Sequence, residues 1–147
     1  MEQSRALSVN SHEFAVEIEV ENAAEATLYP LLRREFEKRQ MPVPQLLRAR
    51  RDGSHARLLL AGPKEVMERV PKDFADGTTL RCLADGLATV TLTCAGSTDP
   101  ALAEKIAAAL DREGLEAREW LPTAMSLTLV LGAHERERAL RALHSLT

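Results

Sequence analysis

Two stretches of this chain alternate apolar and polar residues with a period of two. In FAVEIEVE, residues 14–21, Phe14, Val16, Ile18 and Val20 alternate with Ala15, Glu17, Glu19 and Glu21. In ATVTLTC, residues 88–94, Ala88, Val90, Leu92 and Cys94 alternate with threonines. Successive side chains of a strand point to opposite faces, so each stretch reads as a strand with one buried and one polar face. Each is followed by a helical pattern, then two more strand-like runs, then a second helical pattern. The order βαββα therefore occurs twice, with corresponding positions about 70–75 residues apart. A unit of this kind buries its sheet by laying both helices on one face, which is a ferredoxin-like α+β sandwich.

The first repeat opens with a shorter strand-like piece, Ala6–Val9, and Asn10-Ser11 reads as a turn before FAVEIEVE. Residues 27–40, TLYPLLRREFEKRQ, place Leu28, Leu31, Leu32 and Phe36 at helical spacing. Thr27 suits the N-cap and Pro30 the first turn, with Pro42 and Pro44 as the stop. QLLRARRDGSHARLLLAG reads as a hairpin of Gln45–Arg50 with His55–Ala61 around Asp52-Gly53. Pro63 opens a helix that runs through Val70 and is closed by Pro71. Asp76-Gly77 and Asp85-Gly86 bracket a short strand, Thr79–Leu83.

In the second repeat Asp99-Pro100 opens a helix to Arg112 with Leu102, Ile106, Ala109 and Leu110 inward, and Gly114 is a left-handed C-cap. Strands Leu115–Leu121 and Met125–Leu131 follow. A last helix, His134–Leu146, turns Leu140, Leu143 and Leu146 inward. The alternating charges of HERERALR read as its exposed face, and His144 sits near the negative helix end.

Composition narrows the function classes. The 147 residues carry 45% hydrophobic and 28% charged side chains, enough for one ordinary domain or two very small ones. A formal net charge of −3 gives little pull toward phosphates, and 3% aromatics makes a base-stacking sheet a poor reading, so no nucleic acid is expected. No apolar run approaches the roughly 20 residues of a membrane span, and the N-terminus has no apolar h-region. Cys82 and Cys94 read as small buried strand residues of a reducing cytosol, so a cytoplasmic location is expected. No H-x-x-x-H, C-x-x-C or H-E-x-x-H spacing exists for a metal. No G-x-G-x-x-G, G-x-x-x-x-G-K or G-x-S-x-G occurs, so no cofactor is expected and the pattern points away from an enzyme.

The stretches LATVTLTCAG, DPALAEKIAAAL, EGLEARE, AMSLTLVLG and RALRALHSL, with TTLRCLADG upstream, follow in order the tandem ACT regulatory region of the aspartokinase family, which this chain resembles. The likeness covers almost the whole chain and is better after residue 75. It implies two ferredoxin-like βαββαβ modules side by side, with antiparallel sheets and helices on one face. The modules would span 12–83 and 84–147, the second completed by the N-terminal strand at 5–10 and the first by Thr79–Leu83. A free-standing regulatory chain without a kinase domain is the expectation, and phosphoryl transfer is not carried over.

In that family a small amino acid binds where modules meet, held by the loop after the first strand, the adjoining helix N-terminus and the second strand. Free helix N–H groups hold a carboxylate there, and oxygens hold an ammonium. Carried onto this chain, those positions are Asn22, Ala23, Ala24 and Glu25 in ENAAEAT, Arg48 and Arg50 on the second strand, Gly96, Ser97 and Thr98 before the third helix, and Thr123 in the Pro122-Thr123-Ala124 stretch. Several residues have a second reading. Arg48 and Arg50 share a strand face and could clamp an anion, or could pair with Glu17 or Glu19 along a solvated edge. Ser97, Thr98 and Asp99 could meet a ligand or simply cap a helix. Trp120 could anchor a subunit interface or pack between modules.

Two functions follow. One is a non-catalytic sensor that binds a small amino-acid-like effector, or that regulates an amino-acid biosynthetic enzyme as a separate subunit, through differential binding to two arrangements. The other is a ligand-free oligomerisation and interaction scaffold, favoured by the absence of glycine from ENAAEAT. Both imply self-association, with a two-fold dimer as the default.

Overall fold

The structure, a computed structural model, describes residues 5–21, 24–75, 77, 79–95 and 100–147. Its strands are β1 (Arg5–Glu21), β2 (Gln45–Asp52), β3 (His55–Ala61), β4 (Leu80–Ala95), β5 (Glu119–Pro122) and β6 (Ser126–Gly132). Its helices are α1 (Glu25–Lys38), α2 (Lys64–Asp73), α3 (Pro100–Arg112) and α4 (Arg136–His144). The chain divides into two compact units, Phe14–Gly86 and Met1–Glu13 with Leu87–Thr147.

In the unit Phe14–Gly86 the strand order is β2-β3-β1-β4, and β1–β3 and β2–β3 pair antiparallel. The face carrying Val16, Ile18, Val20, Leu58 and Leu60 is covered by Leu28, Leu32 and Phe36 of α1 and Val66, Met67 and Val70 of α2. Phe36 and Phe74, both fully buried, meet at 5.2 Å between ring centroids. Arg39 lies 4.1 Å over the Phe74 ring and donates to Glu35 at 3.0 Å, so it ties the end of α1 to the end of α2.

In the other unit the order is β1-β4-β6-β5, with β4–β6 and β5–β6 antiparallel. Val90, Leu92, Cys94, Leu127, Leu129 and Leu131 face Leu102, Ile106 and Leu110 of α3 and Ala139 and Leu143 of α4. Leu140 and Leu146 are half-buried against this core. Arg136 Nε donates to Ser11 Oγ at 2.8 Å, and the His12 amide donates to Thr89 Oγ1 at 3.3 Å, fastening β1 to this unit.

Several local expectations are corrected. Asn10-Ser11 is no turn, because β1 runs unbroken through it. Asp85-Gly86 is no turn either: Gly86 adopts φ +64 within the continuous β4. Both signals fall where a long strand passes from one unit to the other. Thr27 lies inside α1, and its hydroxyl donates back to the Ala24 carbonyl at 2.9 Å. Pro30 sits in the second turn, where the only bond it removes is to the exposed Ala26. Pro71 does not close α2, which continues to Asp73 so that Phe74 can enter the core. Residues 115–118 precede β5 rather than belong to it, and the last helix starts after a 3-10 turn at Ala133–Glu135.

Residues 115–118 are held back by the end of α3. The Leu115 amide donates to Leu110 O at 2.9 Å and that of Gly114, at φ +67, to Asp111 O at 3.0 Å. This is the Schellman pattern, completed by burial of Leu115 beside Leu110. α1 ends the same way, with Met41 N to Phe36 O and Gln40 N to Glu37 O at 3.0 Å each. There the left-handed position is Gln40, at φ 57. A side chain in that region costs about 1–2 kcal/mol, so Gln40→Gly should raise stability by roughly 1 kcal/mol in urea denaturation. Ile106→Ala, at a fully buried site, should lower it by about 2–5 kcal/mol.

Candidate functional site

The polar face of the unit Phe14–Gly86 collects most of the charged candidates, because period-two strands place alternate residues together. Register aligns Arg48 and Glu17 across Leu59, and Arg50 and Glu19 across Arg57. Arg48 donates to Glu17 Oε2 at 2.6 Å and to the Arg57 carbonyl at 3.1 Å. Arg81 of β4 donates to Glu19 Oε1 at 3.0 Å. The Arg48 and Glu17 side chains are only 10% and 23% exposed, so their bond is a charge-assisted one in partial shelter from solvent.

Beyond this row the face ends in a cleft of about 300 Å³ lined by Glu19, Glu21, His55, Gly77, Thr79 and Arg81. Glu21 and His55 stand opposite each other in register, and the Glu21 amide donates to the Thr79 carbonyl at 3.0 Å. Gly77 is required at the rim, since a Cβ there would collide with the Leu80 carbonyl. The cleft thus presents two carboxylates beside one guanidinium, a lining suited to a small ligand carrying both an ammonium and an acidic group. None of these six residues was singled out from sequence as a site. In the sequence Glu19 reads as an ion-pair partner for the strand arginines and Glu21 as the first residue of ENAAEAT, and the contribution of β4 depends on pairing.

The sequence-derived candidates are dispersed. Ala24 is the N-cap position of α1 and makes no side-chain cap, and Glu25 opens the helix. Arg48 and Arg50 lie on β2, Arg48 turned to Glu17 and Arg50 exposed. Thr123 belongs to the other unit, where its hydroxyl accepts from the Ser126 amide at 3.0 Å and shares a 2.7 Å bond with Ser126 Oγ, closing the β5–β6 turn. Asn22, Ala23, Gly96, Ser97, Thr98 and the expected cap Asp99 lie outside the described residues. Trp120 is partly exposed on β5. Among the described residues no group of three or more His, Cys, Asp or Glu could hold a metal, and no helix is long and apolar enough to cross a membrane.

Cys94 is buried and Cys82 half-buried. Burial, assisted by the Asp85 carboxylate, pushes the Cys82 thiol above its ordinary value.

No family model matches this chain, and no curated protein matches it. Solved structures do match. The regulatory subunit of aspartate kinase from Thermus thermophilus, in a ligand-free form, superposes with a TM-score of 0.62 at 14% identity, covering 97% of this chain and 98% of that one. The corresponding subunit from Thermus flavus gives 0.60 at 16%, over 97% and 98%. The aspartate kinase of Clostridium acetobutylicum gives 0.61 at 13% over 96% of this chain but 34% of its own. At such identities the likeness establishes the fold: this chain has the α+β fold of an aspartokinase regulatory region.

Two outcomes follow from these bonds. Glu17→Gln should lower stability by about 1–3 kcal/mol, because Arg48 loses a charged acceptor in a sheltered position. A thiol with a raised folded-state pKa stabilises the fold below its unfolded value, and that contribution is lost as the pH rises. The urea midpoint should therefore fall as pH climbs past about 8.5, and fall less in Cys82→Ala.

Proposed function

We propose that this chain is a non-catalytic regulatory protein that binds a small amino-acid-like effector and acts on an amino-acid biosynthetic enzyme as a separate subunit. The observation that carries the reading is the structural match, over nearly all of this chain, to the regulatory subunits of aspartate kinase from two Thermus species. On this reading each unit is one ACT-type module, and the protein works as a two-fold dimer. An effector that prefers one arrangement of the modules shifts the population, and only that preference can carry a signal.

Two seats are open to the effector. One is the pair of segments ahead of α1 and α3, with Asn22, Ala23, Ala24 and Glu25 in the first and Gly96, Ser97 and Thr98 in the second. The other is the cleft at Glu19, Glu21, His55 and Arg81, where Glu21 suits an ammonium and Arg81 a carboxylate. A second reading, an interaction scaffold without a ligand, draws support from the engagement of two candidate groups inside the fold. Arg48 is turned to Glu17 and Thr123 to its own turn.

Thermal shift against a panel of the common amino acids separates the readings. An effector at about 100 times its Kd should add roughly 2.7 kcal/mol of stability. Loss of that shift in Arg81→Gln would seat the ligand in the cleft, and its retention would seat it at the helix-opening segments. Absence of any shift across the panel favours the scaffold. Light scattering should return twice the 16.2 kDa chain mass under either reading, and a monomer at high concentration would refute the dimer.

A further inference from the structure

The charged groups lining the cleft at Glu19, Glu21, His55 and Arg81 are not equally committed. Glu19 and Glu21 are alternate residues of β1, so they project from the same face of the strand. Arg81 Nη2 donates to Glu19 Oε1 at 3.0 Å. Among the described residues that bond is the polar contact of the Arg81 guanidinium, a planar fork whose remaining N–H donors stay open. The Arg81 side chain is 54% exposed and Glu19 only 17%, so the arginine is the partner with room to move. Arg57, opposite Glu19 in register, turns to Asp52 at 3.5 Å. The exposed Glu21 carboxylate makes no ion pair among the described residues.

A ligand that carries an ammonium and a carboxylate needs one anion and one cation from this lining. Glu21 is ready for the ammonium. Arg81 suits the carboxylate, but Glu19 already stands on it. A carboxylate gripped by two parallel N–H bonds outcompetes an acceptor held by one, and an exposed ion pair costs little to break. We propose that Glu19 is an internal competitor of the ligand: it holds Arg81 in the free protein and yields it to the ligand carboxylate, while Glu21 takes the ammonium. The proposal rests on the cleft being an effector seat, and adds to that reading the opposite effects of its two carboxylates. It also sets the ligand class as a zwitterion. A lone anion is repelled by Glu19 and Glu21, and a lone amine leaves Glu19 on Arg81. The exchange removes a tie between β1 and β4, which is the differential contact a signal requires.

The test titrates glycine, the smallest α-amino-acid zwitterion, into the whole chain and follows the Arg81 side-chain N–H signals by NMR. Glu19→Gln should lower the glycine Kd roughly two- to fivefold, the span of an exposed ion pair. Glu19→Asp, which keeps the charge but draws it back from Arg81, should lower it less and serves if the first variant folds poorly. Glu21→Gln and Arg81→Gln should each weaken binding. Acetate and methylammonium should both bind the unaltered chain more weakly than glycine. If Glu19→Gln leaves glycine binding unchanged or weakens it, the competitor is refuted while the cleft remains a seat. If Arg81→Gln leaves glycine affinity unchanged, the ligand sits elsewhere, and the effector reading stands without this proposal. No response of Arg81 to glycine in the unaltered chain or in either Glu19 variant overturns it as well.

Discussion

Everything in this protein depends on one-sided burial along its two longest strands. β1 and β4 each serve both units, and in each unit they must turn their apolar side chains to the helices covering that unit. β4 does so with one parity, through Leu80 and Cys82 in one core and Val90, Leu92 and Cys94 in the other. β1 changes parity. Val9 packs into one core, whereas Val16, Ile18 and Val20 fill the other. A period-two pattern read along β1 therefore stops and restarts, although the strand runs unbroken.

That same constraint leaves each sheet with a second face to settle. In the unit Phe14–Gly86 it is settled by charge. Glu17 and Glu19 on β1 receive arginines from opposite sides, Arg48 from β2 and Arg81 from β4. Paired charges of this kind contribute modestly to stability, but they fix which strand lies beside which, since an unpaired carboxylate at a sheltered position is costly. In the other unit hydroxyls take the role. Thr91 and Thr128, opposite in register, share a 2.7 Å hydrogen bond, and Thr89 is fully buried where it receives the His12 amide.

The fold was legible because its strongest signals are local and periodic. The alternation of FAVEIEVE and ATVTLTC, the helical stripes of α1 and α3, and Gly114 as a left-handed helix end all reappear in the structure. The misread places share a physical cause. Asn10-Ser11, Asp85-Gly86 and Pro71 carry turn or breaker chemistry, yet the elements continue through them because the next residues have cores to reach. Val16 draws β1 onward, Val90 draws β4, and Phe74 draws α2. Turn propensity amounts to about 1 kcal/mol, and burial of one large side chain outweighs it. The candidate site was less legible still, for Arg81 and Glu21 lie far apart in the chain and line one cleft only because β4 lies beside β1.

By itself the sequence determined the elements, the buried face of each strand, and the helices that could cover it, since these follow from residue spacing within one stretch of chain. Tertiary structure alone decided that the long strands run unbroken between units. It also decided that Arg48 is bound to Glu17 rather than open to a ligand, and that a cleft forms where β1, β3 and β4 end together. Those outcomes rest on which strands become neighbours, a property of chain pairing that no local pattern encodes.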